Sequence, residues 1–496
     1  MLFPLVPWRW MVVLGMTCAV AAELSAVEPL AEADRRYPEA LSLEIPPLAE
    51  DTSVNWDYPI VYVRTPRQGD KVKSQWAEIA HPVSMDAGGD LMLLQPDGSE
   101  EVLVAGGKGS ITDPVISFDG EWVIYSHIHD MQVNWAGKFP RGGADLYKLH
   151  LPTRKLVRLT TQQFTPNTGA ADWSQDFVSS EPGKTYLDYG VFNMGPCPLP
   201  GGRLAFTSNR DAFRPPKHTG PTLQLFVMDD DGRNVECIGH FNISMALHPT
   251  VLKDGRIIFS SMEAQGLRNS LLWGLWSIHP DGTNWAPVIS AFDTGGAPNA
   301  FHFQTQLSDG SLVAEEYYNL NNSGFGAYLK LPARVPAEYS AFGPGWRGDP
   351  RNPLLRFGRF YNSKPKLYRL PFSPFGVTSL TRFANNGEGP ADLSVLEEKD
   401  SPRVGKFTHP GAAPGNHLLT VYTPGPANHQ NGLKQPAIDG GLYLIKEGAP
   451  IDAPAQMRLI KNDPRYNEQW PRAVVPYARI YGIPEPAKIK PPWLLS

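Results

Sequence analysis

Several separated places in the chain put a histidine or an acid before proline, a fixed distance ahead of a glycine-bearing turn. His248-Pro249 stands six residues before Asp254-Gly255 in ALHPTVLKDGRIIFSS, and Asp113-Pro114 stands six before Asp119-Gly120 in DPVISFDGEWVIYSH. Gly195-Pro196 stands six before Gly201 in GPCPLPGGRLAFTSNR, and His302-Phe303 stands seven and six before Asp309 in HFQTQLSDGSLVAEEYY. Looser copies begin at His81-Pro82 and His409-Pro410. Neutral imidazoles from different copies, aimed at one axis, could hold Zn, Cu or Fe, with Asp113 or Glu263 as a harder ligand. His248, His302 and His409 are therefore candidate ligands for a divalent transition metal. The opposing reading is structural: a His before Pro hydrogen-bonds at the strand entry and packs against the next unit.

Glu315-Glu316-Tyr317-Tyr318 could bring a carboxylate and a phenol into one pocket for acid–base work, which makes Glu315 and Tyr317 the candidate catalytic pair. Strand alternation sends neighbouring side chains to opposite faces, so at most one Glu faces such a site. Asn319, Asn321 and Asn322 read equally well as loop residues that bond their own backbone. Other apparent signatures fail. Gly343-Pro344-Gly345-Trp346-Arg347-Gly348 matches G-x-G-x-x-G, but Pro350 and Pro353 forbid the helix that must follow. Gly183-Lys184-Thr185 has Val178 where a phosphate loop needs glycine. Asp229-Asp230-Asp231-Gly232 lacks the alternating ligand order of a calcium loop. There is no G-x-S-x-G elbow, and no C-x-x-C-H, so the chain attaches no covalent c-type haem in the usual way.

Each copy of the repeat reads as a short strand, a tight turn and a second apolar strand. The unit beginning at His248 continues with LLWGLWSIHP as a third strand and WAPVIS as a fourth, and ADLYKLHLP with KLVRLT, and LQLFVMDDDG with NVECIG, do the same for the units beginning at Asp113 and Gly195. The expected fold class is all-β, a β-propeller of six blades with four antiparallel strands each, starting near 81, 113, 195, 248, 302 and 409. The fifth unit is interrupted by Ala333 to Lys364 before KLYRLPF resumes. Either an N-terminal strand at Tyr58 to Arg64 or a C-terminal strand at Ala473 to Tyr481 seals the ring and hides the sheet edges. A solenoid or a β-sandwich is the alternative architecture. The expected organisation is a signal peptide over 1–22, an extension over 23–57, the propeller over 58–482 and a tail over 483–496.

In such a blade the first strand begins on the face where the second ends, and the tight turn lies opposite. That geometry gathers His81, Asp113, His127, His129, Arg210, Glu263, Arg268, Asn319, Asn321 and His429 with the candidate metal histidines at one mouth of the channel. The long polar loops leave from the same face, which marks it as the binding face.

Composition agrees with many short strands: 49 Pro and 46 Gly among 496 residues, 11% aromatic and 19% charged. A net charge of −5 and an isoelectric point near 6.2 give no reason to expect nucleic acid as a partner. Arg9, the apolar run Met11 to Val20 and the small residues Ala19-Val20-Ala21-Ala22 read as an export signal, too short for a membrane span. Gly15-Met16-Thr17 before Cys18 fits a lipid-attachment box poorly. The expectation is a periplasmic or secreted protein with no transmembrane anchor after cleavage. Cys197 falls on a first strand and Cys237 on the fourth of the same unit, about 14 Å apart at three strand spacings, so both are expected to be free thiols.

The blade motifs resemble the TolB-like β-propeller repeats of bacterial periplasmic proteins. MGPCPLPGGRLAFTSNR, ALHPTVLKDGRIIFSSME, SIHPDGTNWAPVIS and EEYYNLNNSGFG are similar to the middle domain of the hydrazine synthase alpha subunit, over roughly Tyr58 to Tyr481. The resemblance implies a propeller scaffold without that family's haem-binding C-terminal domain, and no catalytic residue carries over. It points to a component of a periplasmic redox assembly, with a periplasmic protein or c-type cytochrome as partner. Three functions follow from the sequence: a scaffold binding a ligand, metal or protein at the His-rich mouth, a metal-dependent enzyme at that mouth, and a TolB-like interaction scaffold.

Overall fold

β-branched and aromatic residues, cut into short runs by glycine turns, give strands rather than helices. The computed structural model describes residues 41–67, 86–131, 142–165, 190–213, 215, 222–239, 243–262, 272–289, 300–317, 324–334, 376–384, 405–424 and 438–489. Its strands are β1 (Ile60–Pro66), β2 (Asp90–Leu94), β3 (Glu100–Val104), β4 (Ser110–Ile116), β5 (Trp122–Ile128), β6 (Ala144–His150), β7 (Leu156–Arg158), β8 (Asn193–Leu199), β9 (Arg203–Ser208), β10 (Gln224–Asp229), β11 (Glu236–Cys237) and β12 (Met245–Val251). There follow β13 (Ile257–Met262), β14 (Trp273–Ile278), β15 (Ala286–Ile289), β16 (Ala300–Gln306), β17 (Leu312–Tyr317), β18 (Ala327–Leu331), β19 (Thr378–Ser379), β20 (Lys406–Ala413), β21 (His417–Thr423), β22 (Gly441–Ile445), β23 (Arg458–Lys461), β24 (Tyr466–Ala473) and the short helix α1 (Tyr477–Tyr481).

The fold is all-β, built from four-stranded antiparallel sheets. β4 to β7, β8 to β11 and β20 to β23 each form one. β12 to β15 and β16 to β19 form two more, joined by a single parallel bridge between Trp273 and Ala300. β1 to β3 take their fourth strand from the other end of the chain, because β24 pairs along β1 from Ile60 opposite Ala473 to Pro66 opposite Tyr466. The strands β4, β8, β12, β16, β20 and β24 neighbour one another in that order, and β24 also touches β4. Between successive sheets lie apolar layers, such as Phe206 and Phe226 against Ile124 and Leu146, or Tyr328 against Phe407 and Tyr422. At roughly 25 cal/mol per Å² of apolar surface removed from water, these layers are what hold the sheets face to face.

Five of the expected unit starts fall on β4, β8, β12, β16 and β20. The sixth, near His81, lies outside the described residues. The C-terminal strand is displaced from the expected Ala473 to Tyr481: it ends at Ala473, and residues 477–481 turn into α1 behind Pro476, with Gly482 closing the helix at φ 73°. KLYRLPF and most of the interruption before it lie outside the described residues, and β19 is the fourth strand of that sheet. Residues 1–40, with the export signal, are outside as well. No helix among the described residues is long and apolar enough to cross a membrane. Cys197 and Cys237 are free and buried, and burial pushes both thiols up to about 12.

After β24 the chain runs over the turn ends of the sheets. Tyr477 N–H donates to Phe118 O at 2.9 Å, Ala487 N–H donates to Lys253 O at 2.9 Å, and Gly201 N–H donates to Glu485 at 3.3 Å. Tyr481 OH donates to Gln306 O at 2.7 Å, Arg479 pairs with Asp57, and α1 packs on residues 414–416. A chain ending at Arg465 is expected to lose its cooperative unfolding transition in thermal circular dichroism, because β1 and β20 lose their common neighbour. The chain without residues 1–22 and with Cys197→Ala is expected to keep it and, like the unsubstituted chain without those residues, to show no native reaction with a thiol reagent until denaturant is added.

Candidate functional site

Each strand of the inner set carries an irregularity at mid-length. Asp113, Gly195, His248, Phe303, His409 and Trp470 all have positive φ, from 44° to 61°. The register against the second strand shifts there in every sheet, at Thr112/Val115, Met194/Cys197, Leu247/Thr250, His302/Gln304, Thr408/Gly411 and, opposite β24, Val61/Val63. Each is a bulge with one extra residue on the inner strand. Proline follows in five of the six, where its missing N–H costs nothing because the ladder is already broken, and Gln304 follows Phe303.

These six residues form a girdle from sheet to sheet. Asp113 accepts the N–H of Gly195 at 3.3 Å and the Ser126 hydroxyl at 3.4 Å. The His248 and Phe303 rings lie 4.1 Å apart, Phe303 meets His409 edge-on at 4.6 Å, and His409 stacks on Trp470 at 4.1 Å. His409 Nδ1 accepts the Trp470 N–H at 3.4 Å, and Gln304 donates its side-chain amide to His248 O. At two of these joints, Asp113 to Gly195 and His409 to Trp470, the side chain on one inner strand accepts the bulge amide of the next. His302, one residue before the bulge, packs 5.4 Å from His248 and 4.6 Å from Trp273, opposite Glu315 in register. Burial holds His248 down to about 3 and pulls His409 well below the ordinary imidazole value, while it raises Asp113 to about 6.

The candidate metal histidines and Asp113 therefore sit inside strands at mid-depth, not at a mouth. Phe303 separates His409 from His248, and among the described residues no three His, Cys, Asp or Glu side chains form a group that could hold a metal. Glu315 is buried in β17; Tyr317 ends that strand. His81, Glu263, Arg268, Asn319, Asn321 and His429 lie outside the described residues.

His127, His129 and Arg210 do lie together with a polar network at the loop ends of two sheets. Its centre is Asp145, fully buried, which accepts from Thr160 Oγ1 at 2.6 Å, the Gln162 N–H at 2.9 Å, Asn193 Nδ2 at 3.1 Å and Arg158 Nη2 at 2.6 Å. Gln162 Nε2 donates to His129 Nδ1 at 3.0 Å, which leaves the ring proton on Nε2, facing Tyr147 Oη at 3.1 Å. Gly143 and Gly190 make room for this amide, since a Cβ at either would stand 2.6 or 2.4 Å from Gln162 Oε1. Burial lowers the His127 and His129 pKa values, so both rings are neutral near pH 7. Arg210 is 3% exposed, spans Phe206 and Phe226, and donates to Asn193 Oδ1 at 2.9 Å while its Nε has no partner. Beside it Asp211 keeps one unpartnered oxygen, and burial raises its carboxyl to about 7. The sequence reading missed Asp145, Arg158, Gln162, Asn193 and Asp211. Asp145 and Asp211 carried one signal: an acid at an apolar position of a strand or directly beside a candidate arginine.

No protein-family model and no curated protein sequence matches the chain. Among solved structures, hydrazine synthase of Kuenenia stuttgartiensis is similar at 15% identity and TM-score 0.49, over 86% of this chain and 48% of that one. The chain thus spans about half the length of that protein. TolB of Acinetobacter baumannii is similar at 12% identity and TM-score 0.44, over 85% of this chain and 68% of that one. An oligogalacturonate lyase in complex with manganese is similar at 12% identity and TM-score 0.35, over 79% and 83%.

The neutral state of His248 sets a pH dependence. Its folded value of about 3 lies below the ordinary 6.5, so the stability it confers is complete above pH 6.5 and is lost as pH falls toward 3. At about 1.4 kcal/mol per pH unit, the loss between pH 6.5 and 4.5 is about 2–3 kcal/mol. His248→Asn, which tolerates the left-handed backbone, is expected to lower stability at pH 7 yet lose about 2–3 kcal/mol less on acidification to 4.5, read from urea unfolding; parallel curves would contradict it.

Proposed function

We propose that the chain folds as a six-bladed β-propeller exported to the periplasm or beyond, and that it works as a binding scaffold engaging a ligand or protein partner at the loop ends near His129, Gln162 and Arg210. The observation that carries this reading is the use to which the histidines are put. His248 and His409 fill the girdle, with Phe303 between them and the Trp470 amide on His409 Nδ1, so their ring atoms serve sheet-to-sheet cohesion. The six matching bulges and the pairing of β24 with β1 support six blades and closure by both chain ends. Closure removes free sheet edges and gives a rigid mount for loops that recognise a partner.

At the loop ends, the chemistry suits recognition better than turnover. The Asp145 carboxylate is saturated by four donors, and His129 is fixed by Gln162 and Tyr147, which leaves a preorganised surface of donors around the buried Arg210. A partner carboxylate or amide meets such a surface without reorganising it. The narrower form of this reading, a c-type cytochrome as partner, rests on the sequence resemblance alone.

A photo-crosslinking residue placed at Gln162 is expected to capture a discrete partner in the native compartment, and the same residue at Asp254, on the turn face, is expected to capture none. Equal capture from both positions, or none from Gln162, would sink the loop-face reading. Metal analysis of the natively purified protein decides the competing enzyme reading. Stoichiometric transition metal lost in His248→Ala/His302→Ala, with the fold retained, would replace the scaffold with a metal-dependent enzyme using Glu315 or Tyr317.

A further inference from the structure

The outward side of the loop-end network has a chemistry of its own. Leu156 and Arg158 alternate along β7 and so face the same way; Leu156 is 51% exposed and the Arg158 side chain 43%. Arg158 is nonetheless fixed. Its Nε donates to Thr160 O at 2.9 Å, its Nη2 donates to Asp145 at 2.6 Å, and its guanidinium carbon stands over the Tyr147 ring, 5.9 Å from the centre. Tyr147 lies opposite Arg158 in register and is half-buried, and Tyr125 stacks on it at 5.8 Å. A planar cation is thus held by two hydrogen bonds beside an aromatic ring, with the rest of its surface in solvent.

The strip continues onto the neighbouring sheet. Leu103 and Val104 of β3 pack, partly buried, against the same apolar core as Tyr147. His127 bonds the backbone of Gly106 just past β3, and its ring lies 5.8 Å from Tyr147. Arg154 donates to Glu101 twice, at 3.1 and 2.6 Å, and ties the turn before β7 to β3. Charge is balanced along the strip, because Asp145 matches Arg158 and Glu101 matches Arg154. An anionic ligand therefore gains little here from net charge. What the strip does present is a fixed guanidinium plane bordered by aliphatic side chains. That combination matches an aromatic ring, whose face stacks on the guanidinium while its edge meets leucine. Lysine would supply the charge without the plane.

We propose, on the loop-end reading above, that this strip anchors a partner protein through an aromatic side chain stacked on the outer face of Arg158, with Leu156 against the ring edge. The guanidinium is already positioned, so association has only the partner's ring to immobilise. Buried aromatic anchors of this kind carry a large share of the energy of protein interfaces.

A photo-crosslinking residue at Gln162 and, separately, at Leu156 of the full chain in its native compartment tests the anchor, with the cross-linked partner residues mapped by mass spectrometry. Capture is expected from both positions, and the Leu156 cross-links are expected within a few residues of an aromatic side chain of the partner. Replacing that aromatic by leucine in the partner, or Arg158→Lys in this chain, is expected to lower capture from Gln162 roughly fivefold or more. Arg233→Lys, whose ion pair with Asp231 lies at the turn between β10 and β11, is expected to leave capture unchanged. Should Arg158→Lys fail to fold, the Leu156 mapping and the substitution in the partner still decide. Capture from Gln162 that survives both substitutions, or Leu156 cross-links that are absent or far from any aromatic residue, would overturn the aromatic anchor and leave the loop-end reading standing. No capture from either position would overturn both.

Discussion

The left-handed bulge at the middle of each inner strand is the constraint on which the rest of the structure depends. A non-glycine residue held at positive φ costs on the order of 1–2 kcal/mol, and five of the six bulges carry such a residue. The cost recurs because the bulge turns a side chain sideways toward the neighbouring sheet instead of up or down the sheet stack. Asp113 and His409 use that direction to accept the bulge amide of the next strand; Phe303 and Trp470 use it to stack. Gly195 has no side chain to offer, and its site is tight, since a Cβ would come within 3.2 Å of Pro249. The identity of each bulge residue thus follows from what its neighbour needs.

That dependence runs on around the inner set of strands and makes β24 indispensable. Among the described strands β24 alone is far from its sheet partner in sequence, pairing β1 across some four hundred residues, and bringing such ends together costs loop-closure entropy before any contact is made. The return is large: Trp470 completes the stack on His409, Arg472 ties Pro410 to Pro471, and the apolar side chains of β1 and β2 are covered. The residues beyond β24 then bond to the turn ends of several sheets, at Phe118, Gly201, Lys253 and Gln306, and pair with Asp57 ahead of β1.

Much of this was legible in the sequence, and the failures have physical causes. The spacing from His-Pro or Asp-Pro to a glycine turn found β4, β8, β12, β16 and β20, because bulge and turn are separated by the same length of strand in each. It missed β24 because Trp470-Pro471 leads to Pro476 and a helix instead of an Asp-Gly turn. It also chose His302 where Phe303 is the bulge residue, since a search for chemistry favours the imidazole and the backbone favours the position. The Asp145 network was illegible for a different reason: its donors Arg158, Thr160 and Gln162 alternate along one stretch at the end of β7, but their acceptor lies on β6 and the fourth donor, Asn193, on β8, and no spacing in the sequence relates the three places. Depth was misread too, because alternation tells which face a residue takes but not how far along the strand the channel mouth lies.

The buried titratable groups push stability in opposite directions with pH. His248 at about 3 and His409, also depressed, are held neutral by burial, so the folded state resists protonation and loses stability as pH falls below about 6.5. Asp113 at about 6, Asp211 at about 7 and Glu468 at about 8 are raised by burial; their contribution is complete below the unfolded carboxyl values near 4 and is lost as pH rises through each folded value. Between about 4 and 8 the two sets oppose each other, so the interior tolerates this range of pH better than either set would alone. The carboxylates also explain why the buried arginines are compatible with the interior. Asp145 and Asp211 favour the charged form of Arg210, and Asp113 does so for Arg472, from beyond ion-pair contact. At that range an acid offsets part of the burial cost without occupying the guanidinium's donors. Charge is thus supplied at a distance, and hydrogen bonds by the carbonyls of Pro410 and Pro471 and by the Asn193 amide oxygen.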